Sequence, residues 1–301
     1  MEFKRKVRDD RSGVSTLLIA VVIIVIVVVA AAAAYVVLSG DEKETLAPGT
    51  VIKYDRTING KESGILEETL IGQSADEYFF MVKGVVGGTA TTEYTATSKK
   101  SPENAELMGT TELDTKDGLK TLQIWEYTTT SIAGPFDVTV YVDPEIGVSY
   151  KEEMTGVVLG EEYTEVRILT AFEPVWQKSY KESKAIGKTY EYAFFVGGVP
   201  IPIKIECVAD CLDDQYGIMY DFTLIQSDLK LYYLSDNIQG LPTDAVNTGE
   251  TAPLTTIDGE VSAEIFTDPY GVLTLYYEPD THIIYRIIIL EVNFDLTKKP
   301  K

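Results

Sequence analysis

The sequence predicts a mainly β protein, in which an N-terminal transmembrane helix is followed by two tandem, duplicated antiparallel β modules. Three observations predict it: one long uncharged apolar run near the N-terminus, short alternating runs of Val, Ile, Tyr and Thr beyond it, and residues that recur at one offset between the two halves.

Residues 1–13 are a basic segment, with Lys4, Arg5, Lys6, Arg8 and Arg11 against Glu2, Asp9 and Asp10. Residues 14–38 then read VSTLLIAVVIIVIVVVAAAAAYVVL, without a charge. A helix of that length reaches roughly 37 Å at about 1.5 Å per residue, enough to cross a bilayer core with some tilt. A spanning helix satisfies its own backbone hydrogen bonds, so the Val and Ile content is tolerated there. Bases precede the run, while Asp41, Glu42 and Glu44 follow it. The positive-inside rule therefore predicts a single pass through the cell membrane, with residues 1–13 cytoplasmic and 39–301 extracytoplasmic. A cleaved secretory signal is the rival reading, with residues 30–34 offering small side chains for cleavage. Its apolar core would span about 7–15 residues, so the length here favours an anchor.

Arg11-Ser12-Gly13, followed by Val14-Ser15-Thr16 and the apolar run, resembles the N-terminus of archaeal pilin-like and other single-anchor surface proteins. The resemblance covers residues 4–38. It implies that a prepilin peptidase cuts after Gly13 and that the apolar helix packs into a filament core.

Residues 39–48 read as a polar stem. From residue 49 the pattern is that of antiparallel strands, expected at 50–56, 65–70, 78–83, 122–129, 136–142, 148–154 and 163–171 in a first module, 49–172. A linker, 173–185, leads to a second module, 186–301, with strands expected at 188–195, 201–207, 216–224, 229–234, 261–266, 272–277 and 283–294. Asn59-Gly60 is a hairpin turn signal. The stretches 87–118 and 235–256 are polar and read as long loops, with Ser101-Pro102-Glu103 resembling a helix start. Gly49, Tyr54, Glu68, Asp76, Tyr78 and Met81 recur at Gly187, Tyr192, Glu206, Asp214, Tyr216 and Met219. Thr139, Tyr141, Pro144 and Tyr150 recur at Thr274, Tyr276, Pro279 and Tyr285 with a slightly smaller offset, which predicts duplication. The Tyr residues are expected to pack on one sheet face with their hydroxyls at the rim.

Acidic residues outnumber basic ones 47 to 26, and everything after residue 13 sums to −23. Such a surface repels phosphate backbones, which argues against nucleic-acid partners. Cys207 and Cys211 have neither zinc-site nor thioredoxin-like spacing. Their first-module equivalents are Thr69 and Gln73, flanking an expected hairpin turn. Across such a turn the two sulfurs come within disulfide range, which they would not do along an extended strand. His282 is the sole histidine and reads as an exposed turn residue, with Gly147 as its counterpart. No Ser-His-Asp set, His-ligated metal site or nucleotide-binding glycine motif is present. Glu152-Glu153, Glu161-Glu162 and Asp213-Asp214 are adjacent carboxylates, which a strand points to opposite faces. Asp210, Asp213 and Asp214 lack EF-hand spacing and read as solvated charge rather than a calcium site.

No catalytic, cofactor-binding or metal-binding residue is therefore expected. The partners expected are the bilayer, through residues 14–38, and cell-surface or filament proteins. The expected role is that of a non-catalytic, membrane-anchored surface protein in structural, adhesive or envelope-assembly work. A lipid or apolar-ligand binding module and a carboxylate-dependent hydrolase are the alternatives, the first requiring an apolar cavity and the second two converging carboxyls.

Overall fold

The computed structural model describes residues 45–86, 89–99, 104–131, 134–158, 160–222, 230–268, 271–289 and 291–300. The predicted transmembrane helix and the cleavage point after Gly13 lie outside them. Among the described residues no helix is long and apolar enough to cross a membrane.

The chain is mainly β, and all its strand pairs are antiparallel. The first half contributes β1 (Thr45–Leu46), β2 (Val51–Ile58), β3 (Lys61–Gln73), β4 (Glu77–Val86), β5 (Thr89–Ser98), β6 (Glu106–Thr115), β7 (Gly118–Ser131), β8 (Gly134–Val142), β9 (Ser149–Val158) and β10 (Glu161–Glu173). Strands β2 to β10 form a first ladder in the order β5-β4-β3-β2-β10-β9-β8-β7-β6. After β11 (Trp176–Gln177), which pairs with β1, come β12 (Thr189–Val196), β13 (Val199–Cys211), β14 (Tyr216–Asp221), β15 (Lys230–Ser235), β16 (Val246–Thr256), β17 (Gly259–Thr267), β18 (Leu273–Glu278), β19 (Ile283–Ile289) and β20 (Val292–Lys298). These form a second ladder in the order β15-β14-β13-β12-β20-β19-β18-β17-β16, strand for strand the order of the first.

Where the strands carry Val, Ile, Tyr and Phe at alternate positions, expectation and structure agree. The expected strand at 283–294 is instead two, β19 and β20, reversed by a turn at Glu291, whose φ is 66°. The two expected loops are also corrected: most of 87–118 is β5 and β6, and β16 fills 246–256. Residues 101–103 lie outside the described set, and a strand rather than a helix starts at Glu106. On β5 the buried positions are Glu93, Thr95 and Thr97, so the strand alternates without apolar residues to reveal it. β6 is largely exposed, and along β16 only Leu254 is buried, so neither needs an apolar face.

Register refines the expected equivalences. Tyr54 stands opposite Leu66 and Tyr192 opposite Ile203. The first hairpin thus carries one more residue, taken up by a shift between Asp55 and Thr57. Glu68 consequently matches Ile205, not Glu206, and Cys207 matches Leu70, not Thr69. Gln73 matches Asp210, not Cys211. Tyr141 and Tyr276 do hold equal places, each with a base over its ring: Lys151 at 5.0 Å and Arg286 at 5.9 Å from the centroid. A matched Thr-x-Asp-Gly turn begins β7 and β17. Thr115 and Thr256 Oγ1 donate to the carbonyls of Gly118 and Gly259, at 2.7 and 2.9 Å.

The ladders meet at the ends of β3 and β13, where Asp210 is opposite Gln73 and Cys211 opposite Gly72. Because Gln73 and Asp210 are themselves counterparts, a local two-fold axis passes between them. Around it, Ile71, Phe79, Val208 and Ala209 are buried, with Met81, Tyr94, Met219 and Tyr232 packed against them. Equivalent residues gather in this cluster: Ile71 and Val208, Met81 and Met219, Tyr94 and Tyr232. Phe79 and Ala209 break this pattern, their counterparts being Gly217 and Gly72. A Cβ on Gly217 would lie 2.8 Å from the Phe79 ring, so the glycine makes room for it.

Candidate functional site: the charged interior of the first ladder

The second ladder encloses one apolar core, with Tyr192, Ile205, Tyr220, Ile287 and Phe294 at its centre. The first holds two apolar clusters, around Tyr54 and Phe80 and around Phe136 and Val140. Its described strands also bury six acidic or basic residues: Arg56 on β2, Glu68 on β3, Glu93 on β5, Glu152 on β9, and Glu165 and Arg167 on β10. None is more than 3% exposed. They are inward positions of alternating strands, so a period of two brings Tyr163, Glu165, Arg167 and Leu169 to one face.

Arg56 and Arg167 stand opposite each other across β2 and β10, and Glu165 bridges them. Arg56 donates to Glu165 through Nε at 2.8 Å and Nη2 at 2.9 Å, and Arg167 Nε donates to the same carboxylate at 2.7 Å. Tyr163 also donates its hydroxyl to Glu165. Arg167 Nη1 lies 3.5 Å from Glu152 and 3.6 Å from Glu68. Burial alone would raise the Glu165 pKa, but Arg167 and Arg56 overcome it and hold the group down at about 2. For the other carboxyls burial wins. It pushes Glu93 up to about 8 and Glu152 up to about 7, and raises Glu68 strongly, against the opposing pull of Arg56 on Glu93 and of Arg167 on the other two. Both oxygens of Glu68 and of Glu93, Oε1 of Glu152, Nη1 of Arg56 and the Tyr54 hydroxyl make no hydrogen bond among the described residues.

Each of these charges has an apolar counterpart in the second ladder. By register, Arg56 matches Phe194, Glu68 Ile205, Glu93 Leu231, Glu152 Ile287, Glu165 Val292 and Arg167 Phe294. The Phe194 and Phe294 rings pack edge to face at 5.8 Å where the two arginines stand in the first ladder. The strand order therefore does not require charge at these positions. Burying it is costly unless it is paired, and apolar replacements of such groups are often neutral or stabilising. Chemically the first interior sets an Arg-Glu-Arg triad, whose carboxyl is held down by two guanidinium groups, beside three carboxyls whose pKa values burial raises.

Sequence reading placed only Glu152 of this set among its candidates. The others come from four strands distant in sequence, and the one local signal is the inward alternation of Tyr163, Glu165 and Arg167. The expected carboxylate neighbours do diverge: Glu152 is buried, while Glu153 lies outside, 2.7 Å from Lys151. Glu161 and Glu162 are exposed at the start of β10, and Asp213 and Asp214 are exposed in a short 3₁₀ turn. Asp210 is occupied structurally, accepting from Tyr180 Oη at 2.9 Å and from Ser183 Oγ at 2.5 Å. Among the described residues no three His, Cys, Asp or Glu side chains gather as metal ligands.

Cys207 and Cys211 stand as free thiols on one strand, which corrects the expectation that they flank a turn. Cys207 faces the second core and Cys211 the joint between ladders. Burial pushes the Cys207 thiol up to about 12. His282 is exposed at φ 58°, the place Gly147 holds at φ 67°, with Nδ1 2.7 Å from the Tyr277 hydroxyl. Nearby, Asp258, Glu260, Glu264, Glu278 and Asp280 line an acidic groove of about 670 Å³ on the second ladder. Comparison with protein-family models, with curated proteins and with solved structures gave no match.

Proposed function

We propose that this chain is a single-pass, membrane-anchored surface protein with a cytoplasmic N-terminus. Two duplicated β modules, 49–172 and 186–301, would stand outside the membrane and do structural, adhesive or envelope-assembly work without catalysis. The observation that carries this reading is the joint between the ladders. Two sheets of identical strand order meet through equivalent residues around Gln73 and Asp210, which suits a load-bearing body displayed on a tether. Duplication is supported by the shared strand order, by the matched Thr-x-Asp-Gly turns, and by the left-handed residue that Gly147 and His282 each supply. A lipid-binding role gains less support, since one interior is charged and the other is packed with Tyr, Ile and Phe side chains.

The test is protease digestion of intact cells carrying a tag ahead of Met1. Loss of 39–301 from the surface, with the tag protected in an alkali-resistant membrane fraction, is the expected result. Recovery in the soluble fraction overturns it. Sheared filaments containing the chain without residues 1–13 would identify the filament-subunit case.

A further inference from the structure

The hairpin joining β12 to β13 differs from every other tip whose residues are described by being apolar on its exposed surface. Residues 193–203 read AFFVGGVPIPI, eleven positions without a charge or a polar side chain, in a chain of net charge −21. Phe195, Val196 and Val199 are 57%, 52% and 65% exposed, and Pro200 is exposed beside them. The matching tip of the first ladder, Ile58-Asn59-Gly60-Lys61-Glu62, is polar and charged. β3 and β13 run antiparallel through the joint, so the two tips point to opposite poles of the molecule.

We propose that the β12–β13 tip dips its Phe195, Val196 and Val199 side chains into the bilayer that anchors the chain. This inference rests on the anchored reading above.

Three features select lipid over a protein partner. Val196 and Val199 close a two-residue turn made by Gly197 and Gly198, with φ of 58° and 84°. In such a hairpin the closing pair is hydrogen-bonded, so Phe195 with Pro200 and Ala193 with Pro202 are the non-bonded pairs. The nitrogens of residues 200 and 202 therefore face away from β12, and among the described residues β14 pairs with β13 from Lys204 onward. Proline at both places removes two outward N–H donors. That blocks strand addition by another chain, and it spares the tip donors that would go unsatisfied in hydrocarbon. Reach is the third argument. The apolar run ends at residue 38 and the first described strand begins at Thr45, a chain span of at most about 25 Å. Val199 lies on the order of 40 Å along β13 from the joint. With that long axis lying along the bilayer, one pole presents an apolar tip and the other a polar one.

The experiment uses the full chain in phosphatidylcholine nanodiscs, with acyl chains either plain or brominated. Tryptophan is introduced as Phe195→Trp, as Val199→Trp, and at the polar tip as Asn59→Trp, with the wild type giving the background of Trp125 and Trp176. Loss of the added emission at 195 and 199, but not at 59, in brominated discs is expected. Co-elution with discs without quenching at 195 and 199 overturns the tip insertion and leaves the anchor standing. A blue shift there that grows with protein density would assign the tip to a second copy and likewise overturn it. Equal quenching at 59 denies the apolar tip any special place. Failure to enter the discs, seen by elution alone, overturns the anchor and this inference together.

Discussion

Glu93 is the residue where the charged interior is most open to experiment. A carboxyl whose pKa rises on folding keeps its proton in the native state after the unfolded chain has lost it. Its contribution is then full below the unfolded value, near 4.3. It is lost as pH rises through the folded value, which is about 8 for Glu93 and about 7 for Glu152, with Glu68 raised in the same sense. Glu165 works in reverse: held down at about 2, its contribution is present above pH 4 and fails only in strong acid. Stability is therefore expected to peak near pH 5 and to fall toward pH 8.5, with Glu93 alone accounting for a loss on the order of 2–4 kcal/mol. Glu93→Gln removes one titrating group and should flatten that decline. Urea unfolding at pH 5 and pH 8.5 measures both slopes, and an unchanged slope in the variant would remove Glu93 from the account.

Among the strands, legibility followed burial. β2, β8, β12 and β18 alternate apolar with polar residues because one face meets a core, and they could be read directly. β5 escaped because its inward face carries Glu93, Thr95 and Thr97. β6 and β16 escaped because they bury little. The charged site was illegible for a related reason: its six members are spread over five strands, and only pairing brings them together. The joint was equally hidden, since Ile71, Phe79, Met81 and Tyr94 lie on outward faces where sequence patterning expects solvent. One of its close approaches is Gly217 under the Phe79 ring. Gly217→Ala should cost about 1–3 kcal/mol through forced movement of that ring. Denaturant midpoints of the variant and of wild type decide it, and a neutral result would show that β14 yields at no cost.

Over the whole molecule, the joint is expected to couple two ladders of one strand order into a single unfolding unit. Both tryptophans, Trp125 and Trp176, precede the second ladder, while strand content is spread across both. Tryptophan fluorescence therefore follows the first half, and far-ultraviolet dichroism follows the whole. The two signals are expected to change at one midpoint. Separate midpoints would mean that the ladders unfold independently and that the apolar contacts around Phe79 are too weak to couple them.

The two-residue ladder of β1 and β11 gives the chain a fuse. Force arriving along the polypeptide from residue 44 meets the Thr45–Gln177 pair first and then Leu46–Trp176, before any strand of the main sheets. Next come Ala47 N–H to the Val175 carbonyl at 2.8 Å and Gly49 N–H to that of Leu70 at 2.7 Å. These contacts open singly, like a zip, whereas strands loaded lengthwise resist together. Drawing Leu46 out of the core would pay out about 20 Å of slack while β2 stays seated between β3 and β10. A pull on the chain from residue 44 is thus expected to be absorbed between Thr45 and Gly49, leaving the ladders shielded from the load.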